Sequence, residues 1–405
     1  MIHYSRKIIA AQRYLLAQMF LLVTILMGPA GASELAAAEV PEKGATSFSA
    51  FPIAMYNSDI GFGLGGKGVL KNSLRKDESF DLILFASSKG EQWYVFTFSI
   101  PDREIRQGTI YPHALDAKIE YDKLLKSNFF GIGNDSPDNE HLFPKEILRL
   151  EISDSRAFSR NLIGELGLRL ASYSVYDWDP IWQTITSSTP GIGWSQVFAL
   201  SGAMRWDDRD SQINPIRGKR LELRLDYSPE LLNDVVRQGN GTSTGQAAPH
   251  WSFTKVRFEF SDLADLKQGF VLAWRLWLQQ VYGPAPYNEL SFLGGGVTLR
   301  GYKYERLLDD ASALTSLELR LPLGRLAIPQ TSEHSLVSTF RERFGGVVLV
   351  DAGRVAPGMQ KMNLDKWYWN VGVGLRYCLR DFVVRGDIGK SSEGVRLFLN
   401  FGQVF

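Results

Sequence analysis

The feature that most constrains this chain is an alternation of apolar and polar residues with a period of two. In residues 220–227, leucines at alternate positions are separated by charged residues, and the same pattern recurs in residues 165–170, 255–260 and 371–377. Successive side chains of a β-strand point to opposite faces of the sheet. Each of these segments therefore predicts a strand with one apolar and one charged face.

The number of such segments, about sixteen, falls in the range of barrels that span a membrane. A sheet in water usually turns its charged face outwards, whereas a barrel in lipid presents its apolar face to acyl chains and lines its interior with polar residues. Closure also pairs every backbone group without leaving an edge, which lipid requires. The sequence thus predicts an all-β fold, a transmembrane antiparallel β-barrel of about sixteen strands.

The predicted connections alternate in length along the chain. Long loops are expected at residues 123–144, 176–191, 229–250 and 282–312. Short turns are expected at residues 156–160, 262–268 and 379–381. Outer-membrane barrels have short periplasmic turns and longer extracellular loops, so this asymmetry predicts that both ends of the chain lie on the periplasmic side.

The N-terminal segment has the composition of a secretory signal peptide. A basic start with Arg6 and Lys7 precedes an apolar run at residues 19–27, and small residues with an Ala-x-Ala pattern end at Ala32. A single membrane anchor helix is the alternative, but the run is shorter than the roughly 20 residues that span a bilayer. The predicted organisation is a signal peptide at 1–33, a short periplasmic leader at 34–48 and the barrel at 49–405.

Motifs for catalysis or cofactor binding are weak in this chain. Gly61, Gly63 and Gly66 spell G-x-G-x-x-G, but an alternating strand follows them instead of the helix that a dinucleotide site needs. The chain has no G-x-S-x-G turn, and its five histidines lack metal-ligand spacing. Cys378 is the only cysteine, so no internal disulfide is possible. We therefore predict no enzymatic activity, catalytic residue, cofactor or metal site.

Five motifs follow one another along the chain, at residues 129–135, 207–218, 299–302, 349–353 and 400–405. Leu299-Arg300-Gly301-Tyr302 resembles the Val-Arg-Gly-Phe/Tyr loop tip of the BamA/TamA superfamily of outer-membrane barrels, also called the bacterial surface antigen family. Residues 349–353 resemble the Phe-x-Asp-x-Gly strand of that family. The other three resemble one of its loop segments, one of its periplasmic turns and its terminal targeting strand.

The resemblance implies that the loop 282–312 folds into the lumen and that Arg300 reaches Asp351 and the neighbouring acid Glu318. Strand parity places both carboxylates on inward faces, and a guanidinium can bridge two carboxylates with forked hydrogen bonds. The latch implied in this way comprises Arg300, Gly301, Tyr302, Glu318, Asp351 and Gly353. The implied targeting strand contains Asn400, Gly402 and Phe405. A purely structural plug contact is the alternative to a role of the latch in substrate handling.

The first and last strands, predicted at 49–57 and 394–405, should meet at a seam. A weakly paired seam could open laterally and template an incoming strand, because exposed backbone groups add strands readily; ordinary closure is the alternative. Insertases and secretion transporters of the family carry periplasmic domains that capture substrate. The leader at 34–48 leaves no room for such a domain, so we expect a member without one.

These observations predict a protein that inserts or translocates outer-membrane components, protein or lipid, without periplasmic capture domains. The alternative is a passive channel or porin, or a structural surface antigen with a plugged lumen, and a membrane lipase is a third, disfavoured class.

We expect the chain in a bacterial or organellar outer membrane after signal-peptide cleavage. The expected partners are outer-membrane lipids, unfolded outer-membrane proteins or a separate periplasmic adaptor, and the assembly machinery that inserts the barrel. The formal net charge of +1 gives no basis for nucleic-acid binding.

Overall fold

A computed structural model describes residues 45–57, 61–175, 189, 191, 194–230, 251–327, 342–378 and 383–405. Within these residues, sixteen antiparallel strands form a closed barrel, which confirms the predicted fold class. The barrel strands are β1 (Ser47–Asn57), β2 (Gly61–Lys71), β3 (Ser79–Ser87), β4 (Gln92–Ile100), β5 (Ala114–Phe129), β6 (His141–Ala157), β7 (Leu162–Val175), β8 (Trp194–Asp207), β9 (Gly218–Ser228), β10 (Phe253–Asp265), β11 (Val271–Tyr282), β14 (Ala311–Leu321), β15 (Phe344–Ala356), β16 (Tyr368–Cys378), β17 (Val383–Ser391) and β18 (Gly394–Phe401). A separate hairpin consists of β12 (Ser291–Leu293) and β13 (Leu307–Asp309).

Each barrel strand pairs with its neighbour in the sequence, except that β11 pairs with β14 and the hairpin lies between them in the chain. The antiparallel order sorts the connections into two sets. We call the end that carries residues 130–140 and 283–310 the loop end. The opposite end carries residues 158–161, 266–270 and 402–405, and we call it the turn end. The predicted signal peptide lies outside the described residues, as do nearly all of the predicted loops 176–191 and 229–250.

The two faces of the barrel wall differ in chemistry, as the alternation predicts. On β9, Leu223 is 48% exposed, whereas its neighbour Glu222 is 3% exposed. Leu317 and Glu318 on β14 show the same contrast, because the leucine is half exposed and the carboxylate is fully buried. The outer face is thus apolar and suited to acyl chains, and the lumen contains the charges. These charges are paired across strands, as between Arg205 and Glu222, 2.8 Å apart.

Three predicted segments have wrong boundaries. The loop predicted at 123–144 covers only 130–140, because β5 continues through a register shift between Leu124 and Ser127. Such a bulge reverses which residues face inwards, so the period-two pattern breaks although the strand continues. β10 reaches Asp265, which moves the turn predicted at 262–268 to 266–270. The strand predicted at 394–405 ends at residue 401, because Gly402 turns out of the sheet with a φ of +80°.

The remaining regular elements among the described residues are short. They are the helices α1 (Arg103–Arg106) and α2 (Leu323–Ala327) and the 3-10 turns Tyr287–Glu289 and Met359–Lys361. No helix in the described part of the chain is long and apolar enough to cross a membrane. Gly61, Gly63 and Gly66 all lie in β2, so the G-x-G-x-x-G pattern belongs to the barrel wall. At Gly63, an added Cβ would lie 2.1 Å from the ring of Phe85.

Candidate functional site

The loop 283–310 occupies the lumen. It contains the 3-10 turn Tyr287–Glu289 and the hairpin β12–β13, and its side chains at Leu293, Leu299 and Leu307 are fully buried. These leucines pack with Leu314 and Val355, which belong to the wall strands β14 and β15. Burial of this apolar area favours the folded-in position of the loop.

Arg300 projects from the tip of this loop to the two carboxylates that the sequence analysis selected. Its Nε and Nη2 donate to Asp351 on β15 at 2.9 and 2.7 Å, in a forked pair of hydrogen bonds. Its Nη1 donates to Glu318 on β14, and its backbone N–H also donates to Asp351, at 3.2 Å. All three side chains are fully buried. Burial alone would lower the pKa of Arg300, but Asp351 and Glu318 outweigh burial and raise this pKa above its usual value.

The two carboxylates have further partners in the wall. Asn370 on β16 donates to Asp351 at 3.0 Å, and Arg320 on β14 donates to Glu318 at 3.1 Å. Arg376 lies 3.6 Å from Glu318. Buried carboxylates need such partners because burial without them is costly. The wall therefore holds both acceptors in place for the guanidinium of the loop.

The other predicted latch residues place the loop tip close to the wall. At Gly301, an added Cβ would lie 2.6 Å from the Cβ of Asn370. At Gly353, it would lie 2.8 Å from Leu293 and 3.1 Å from the carbonyl oxygen of Ala313. Tyr302 is 1% exposed and donates its hydroxyl to the carbonyl of Trp369 at 3.1 Å. The structure thus brings all six predicted latch residues to one part of the lumen.

A second anchor, which sequence reasoning missed, holds the base of the same loop. Glu289 is 1% exposed and accepts two hydrogen bonds from Arg169 on β7, at 2.5 and 2.9 Å. It also accepts one from the hydroxyl of Tyr173 and one from Lys255 on β10, both at 2.7 Å. Burial alone would raise the pKa of Glu289, but Arg169 and Lys255 outweigh burial and hold this pKa well below its usual value. A lone acid between apolar Tyr287 and Leu290 was the only sequence signal of this anchor.

Comparison with known proteins decides the family. A family model described as the Omp85 superfamily domain matches residues 87–388, which is well over half of the chain. The chain belongs to the Omp85 superfamily. This family consists of outer-membrane barrels involved in the insertion of outer-membrane proteins or in protein secretion, and they are not enzymes. The chain is accordingly an integral outer-membrane barrel.

Two solved structures share the Omp85 barrel fold. BamA from Haemophilus ducreyi lacking POTRA domains 1–3 is 14% identical with a TM-score of 0.58, and the match covers 88% of this chain and 70% of that one. CdiB from Escherichia coli is 10% identical with a TM-score of 0.57, and the match covers 89% of this chain and 63% of that one. At these identities the likeness concerns the fold. No curated protein matches the chain significantly.

In this Omp85 barrel, the motif at 129–135 covers the lumenal loop at the loop end. Phe130 lies 4.9 Å from the guanidinium of Arg306, which also donates to Ser136 at 3.0 Å and to Glu393 at 2.7 Å. Asn134 donates to the carbonyl of Lys366 at 3.0 Å. Arg306 is therefore a third point at which the loop 283–310 is held, and short motifs did not identify it.

The motif at 207–218 forms a compact connection at the turn end. Asp208 accepts a hydrogen bond from the backbone N–H of Lys219, and Asp210 accepts one from the N–H of Ile216 at 3.0 Å. Gly218 has a φ of +102°, and an added Cβ there would lie 2.7 Å from the Cα of Arg209. The glycine is needed because this backbone conformation is strained for other residues.

The residues proposed as a targeting strand divide between two environments. Asn400 lies in β18, whereas Gly402 and Phe405 follow the end of that strand. Phe405 is 5% exposed and packs in the lumen. Its ring is therefore not directed to lipid, and a targeting role of Asn400, Gly402 and Phe405 stays a prediction.

The seam of the Omp85 barrel is short. Among the described residues, β1 pairs with β18 at two positions, Tyr56 with Leu399 and Asn57 with Phe398. On its other side, β1 pairs with β2 along its whole length. Strand pairing is the main restraint on a barrel wall, so this seam is the least restrained junction between described strands.

In the part of the chain that the structure describes, no three His, Cys, Asp or Glu side chains are grouped to hold a metal ion.

Proposed function

We propose that this Omp85 barrel inserts or translocates outer-membrane components, protein or lipid, through the lateral seam between β1 and β18. The observation that carries this proposal is the pairing of the seam at Tyr56–Leu399 and Asn57–Phe398 alone among the described residues. Separating two residue pairs costs far less than separating the ladders elsewhere in the wall. A β1 edge exposed in this way can pair with an incoming strand.

The filled lumen favours this route over a passive channel. The loop 283–310 is held by Arg300 at its tip, by Glu289 at its base and by Arg306 near the loop end. A porin needs a continuous aqueous path, and a folded-in loop with three anchors obstructs one. The latch has the role of fixing the loop during substrate handling. The plugged surface antigen remains the second candidate, because the same occupied lumen suits it.

The finer assignment within the superfamily is part of the same proposal. We assign the chain to the BamA/TamA type, with a signal peptide at residues 1–33 and a leader that ends at residue 46, immediately before β1 begins. The motifs at residues 299–302 and 349–353 support this assignment, because their side chains meet in the lumen as that resemblance implies. The substrates are then unfolded outer-membrane proteins or lipids, which reach the turn end directly or through a separate adaptor.

The test is the protein and lipid inventory of the outer membrane in a strain that lacks this chain. The strain is complemented with the wild type or with a seam-locked variant that carries Tyr56→Cys and Leu399→Cys in a Cys378→Ser background. We expect specific barrels or lipids to fall in the deletion strain, the wild type to restore them, and the oxidised seam-locked variant to fail until it is reduced.

The matched control is Cys378→Ser alone, which keeps the seam free and should restore the inventory fully. Full rescue by the oxidised seam-locked variant would rule out the lateral route. An unchanged inventory in the deletion strain would rule out assembly of the measured components and favour the plugged surface antigen.

A further inference from the structure

A cavity of about 330 Å³ lies against the inner wall of the barrel on the strands β5 to β9. Its lining includes α1 and Gln212 of the connection after β8, which places it at the turn end. Ser153 and Ser201 also line it, and Gly167 lies between them as their partner across β6, β7 and β8. An added Cβ at Gly167 would lie 2.7 Å from the Oγ of Ser201. These small residues therefore leave a hollow in the wall, and the described residues that line it include none of the loop 283–310.

Positive charge is in excess around this cavity. Three carboxylates line it, namely those of Asp116, Glu151 and Glu165. The cations that line it are six, namely Arg103, Arg106, Lys118, Arg169, Arg205 and Arg224. The lining by itself therefore has a formal charge of +3.

The ion-pair partners of these residues do not remove the excess. Among the described residues, ion pairs connect the lining to the cations Arg149, Arg220, Lys255 and Arg257. They also connect it to the carboxylates Glu120, Glu222, Asp226 and Glu289. The whole network thus contains ten cations and seven carboxylates, and its formal charge is still +3. Charge that is partly removed from water and not balanced by the protein is unfavourable, so an anion in the cavity would stabilise this part of the barrel.

The cations are arranged from the entrance of the cavity to its interior. The side chain of Arg103 is 59% exposed, whereas those of Arg106 and Arg169 are 8% and 11% exposed. Arg106 donates to Asp116 at 2.8 and 2.9 Å, and its Nε has no hydrogen-bond partner among the described residues. An anion can therefore approach the exposed cation first and reach the buried ones afterwards.

The amount of excess charge favours phosphate over carboxylate. Guanidinium groups bind both anions with forked hydrogen bonds. A carboxylate brings one negative charge, whereas a phosphate monoester brings roughly 1.5 to 2 near neutral pH. A phosphate monoester therefore balances more of the +3 charge of the network.

Arg169 connects this cavity to the base of the lumenal loop. It lines the cavity, and both of its Nη atoms donate to Glu289 of the loop. An anion in the cavity is attracted to the same guanidinium as Glu289. Occupancy of the cavity should therefore weaken the hold of Arg169 on the loop, while Lys255 and Tyr173 continue to bind Glu289.

We propose that this cavity is a binding site for a phosphate monoester group, carried by a free solute or by a lipid headgroup, and that its occupant shares Arg169 with Glu289. The ligand enters from the turn end, and the acyl chains of a lipid stay outside the polar cavity. The site goes beyond the lateral route, because its described lining contains no residue of β1 or β18.

The experiment is calorimetric titration of the purified full-length barrel in detergent with glycerol 3-phosphate. We expect saturable binding with one site per barrel, and none of glycerol. Arg103→Gln removes the cation at the entrance and should weaken binding about fivefold, as expected for one unit charge at a partly hydrated site. Arg217→Gln is the matched control, because it removes the same charge from an exposed residue at the turn end outside the cavity, and it should leave the affinity unchanged.

A second pair of variants locates the site. Ser201→Phe fills the hollow and should abolish binding, whereas Ser201→Ala keeps it open and should bind as the wild type does. If Ser201→Phe does not show the heat-dependent gel mobility of a folded barrel, Ser153→Leu fills the same hollow from β6. Binding that survives in the filled variant, or no saturable binding in the wild type, would overturn the site.

Glu289→Gln tests the sharing of Arg169. Loss of this carboxylate leaves the guanidinium free for the ligand, so the affinity for glycerol 3-phosphate should rise about fivefold. Glu393→Gln makes the same change at Arg306, another point at which the loop is held, and should have no effect. An unchanged affinity in Glu289→Gln, or an equal rise in Glu393→Gln, would overturn the connection to the base anchor.

Phosphatidate in the same detergent distinguishes the two sources of the phosphate group. Tighter binding than that of glycerol 3-phosphate, lost in Ser201→Phe, assigns the site to a lipid headgroup, and equal or weaker binding assigns it to a free solute. A barrel that binds no phosphate can still restore the membrane inventory, so failure of this site would leave the lateral route in place.

Discussion

The tip and the base of the lumenal loop are anchored with opposite charges. At the tip, the loop supplies the cation Arg300, and the wall supplies the carboxylates of Glu318 and Asp351. At the base, the loop supplies the carboxylate of Glu289, and the wall supplies the cations Arg169 and Lys255. Both anchors are almost completely buried, so each charge depends on its partners for stabilisation.

The reversal of charge fixes how the loop sits in the lumen. A loop displaced so that its base reached the wall near Glu318 would place two carboxylates together, which is strongly unfavourable in a buried site. The anchors also differ in reach. The tip anchor continues through Arg320 to Pro215 at the turn end and to Phe405, whereas the direct partners of Glu289 lie on the neighbouring wall strands β7 and β10. We therefore expect the tip to affect function more widely than the base.

The largest effect is expected for Arg300→Ala. It leaves two carboxylates buried without the loop cation, which costs about 3–5 kcal/mol of stability. The loop should leave the wall, so the melting temperature of the purified barrel should fall and its conductance in planar bilayers should rise. In the deletion strain, this variant should not restore the membrane inventory.

Arg300→Lys sharpens this prediction, because it keeps the charge but loses the forked geometry. It should fall between the wild type and Arg300→Ala in both melting temperature and rescue. If Arg300→Ala conducts but rescues fully, the latch is only a plug contact and has no role in substrate handling.

A smaller effect is expected for Glu289→Gln. The amide keeps the shape of the side chain and can still accept a hydrogen bond from Tyr173, but it no longer neutralises Arg169 and Lys255. Loss of charged hydrogen bonds predicts a cost of about 2–3 kcal/mol, measured by thermal unfolding in detergent. Complementation with this variant should still largely restore the membrane inventory. If it fails as completely as Arg300→Ala does, the tip anchor does not affect function more than the base anchor.

The stability that the base anchor contributes should not depend on pH in the neutral range. Because Arg169 and Lys255 lower the pKa of Glu289 below its usual value of 4.5, its contribution to stability is complete above that pH. The contribution is lost only as the pH falls through the lowered pKa of the folded state. The difference in melting temperature between the wild type and Glu289→Gln should therefore be constant from pH 4.5 to neutral pH and shrink below pH 4.5. A difference that already shrinks near pH 7 would contradict this assignment.

No measurable change is expected for Lys366→Ala. Its ammonium pairs with Asp135 at 2.8 Å outside the lumen, where both side chains are about 70% exposed. Such pairs contribute little because water solvates the charges already. The melting temperature should equal that of the wild type, and a clear decrease would show that the loop end depends on exposed charges as well as on Arg306.

The alternation was sufficient to predict the fold, and the family resemblance was sufficient to predict the tip of the loop, but neither of them extends to the base. The period of two follows directly from strand geometry, and it located the lipid face and the inward carboxylates Glu318 and Asp351. Glu289 has no motif, and its partners Arg169 and Lys255 are 120 and 34 residues away in the chain. The bulge in β5 and the departure at Gly402 were missed because both interrupt the alternation on which the prediction depended.

The three partners of Arg320 also constrain the order in which the barrel folds. Its hydrogen bonds reach Pro215, 105 residues earlier, and Phe405, 85 residues later, as well as Glu318 on its own strand. Contacts at such separations form late, because much of the chain must first be confined. The complete set of bonds can exist only when the connection after β8 and the segment after β18 have both arrived. All the hydrogen bonds of Arg320 are therefore present only in the completed barrel. Because Arg320 and Arg300 share Glu318, the Arg300 latch also has all of its supporting hydrogen bonds only at that stage.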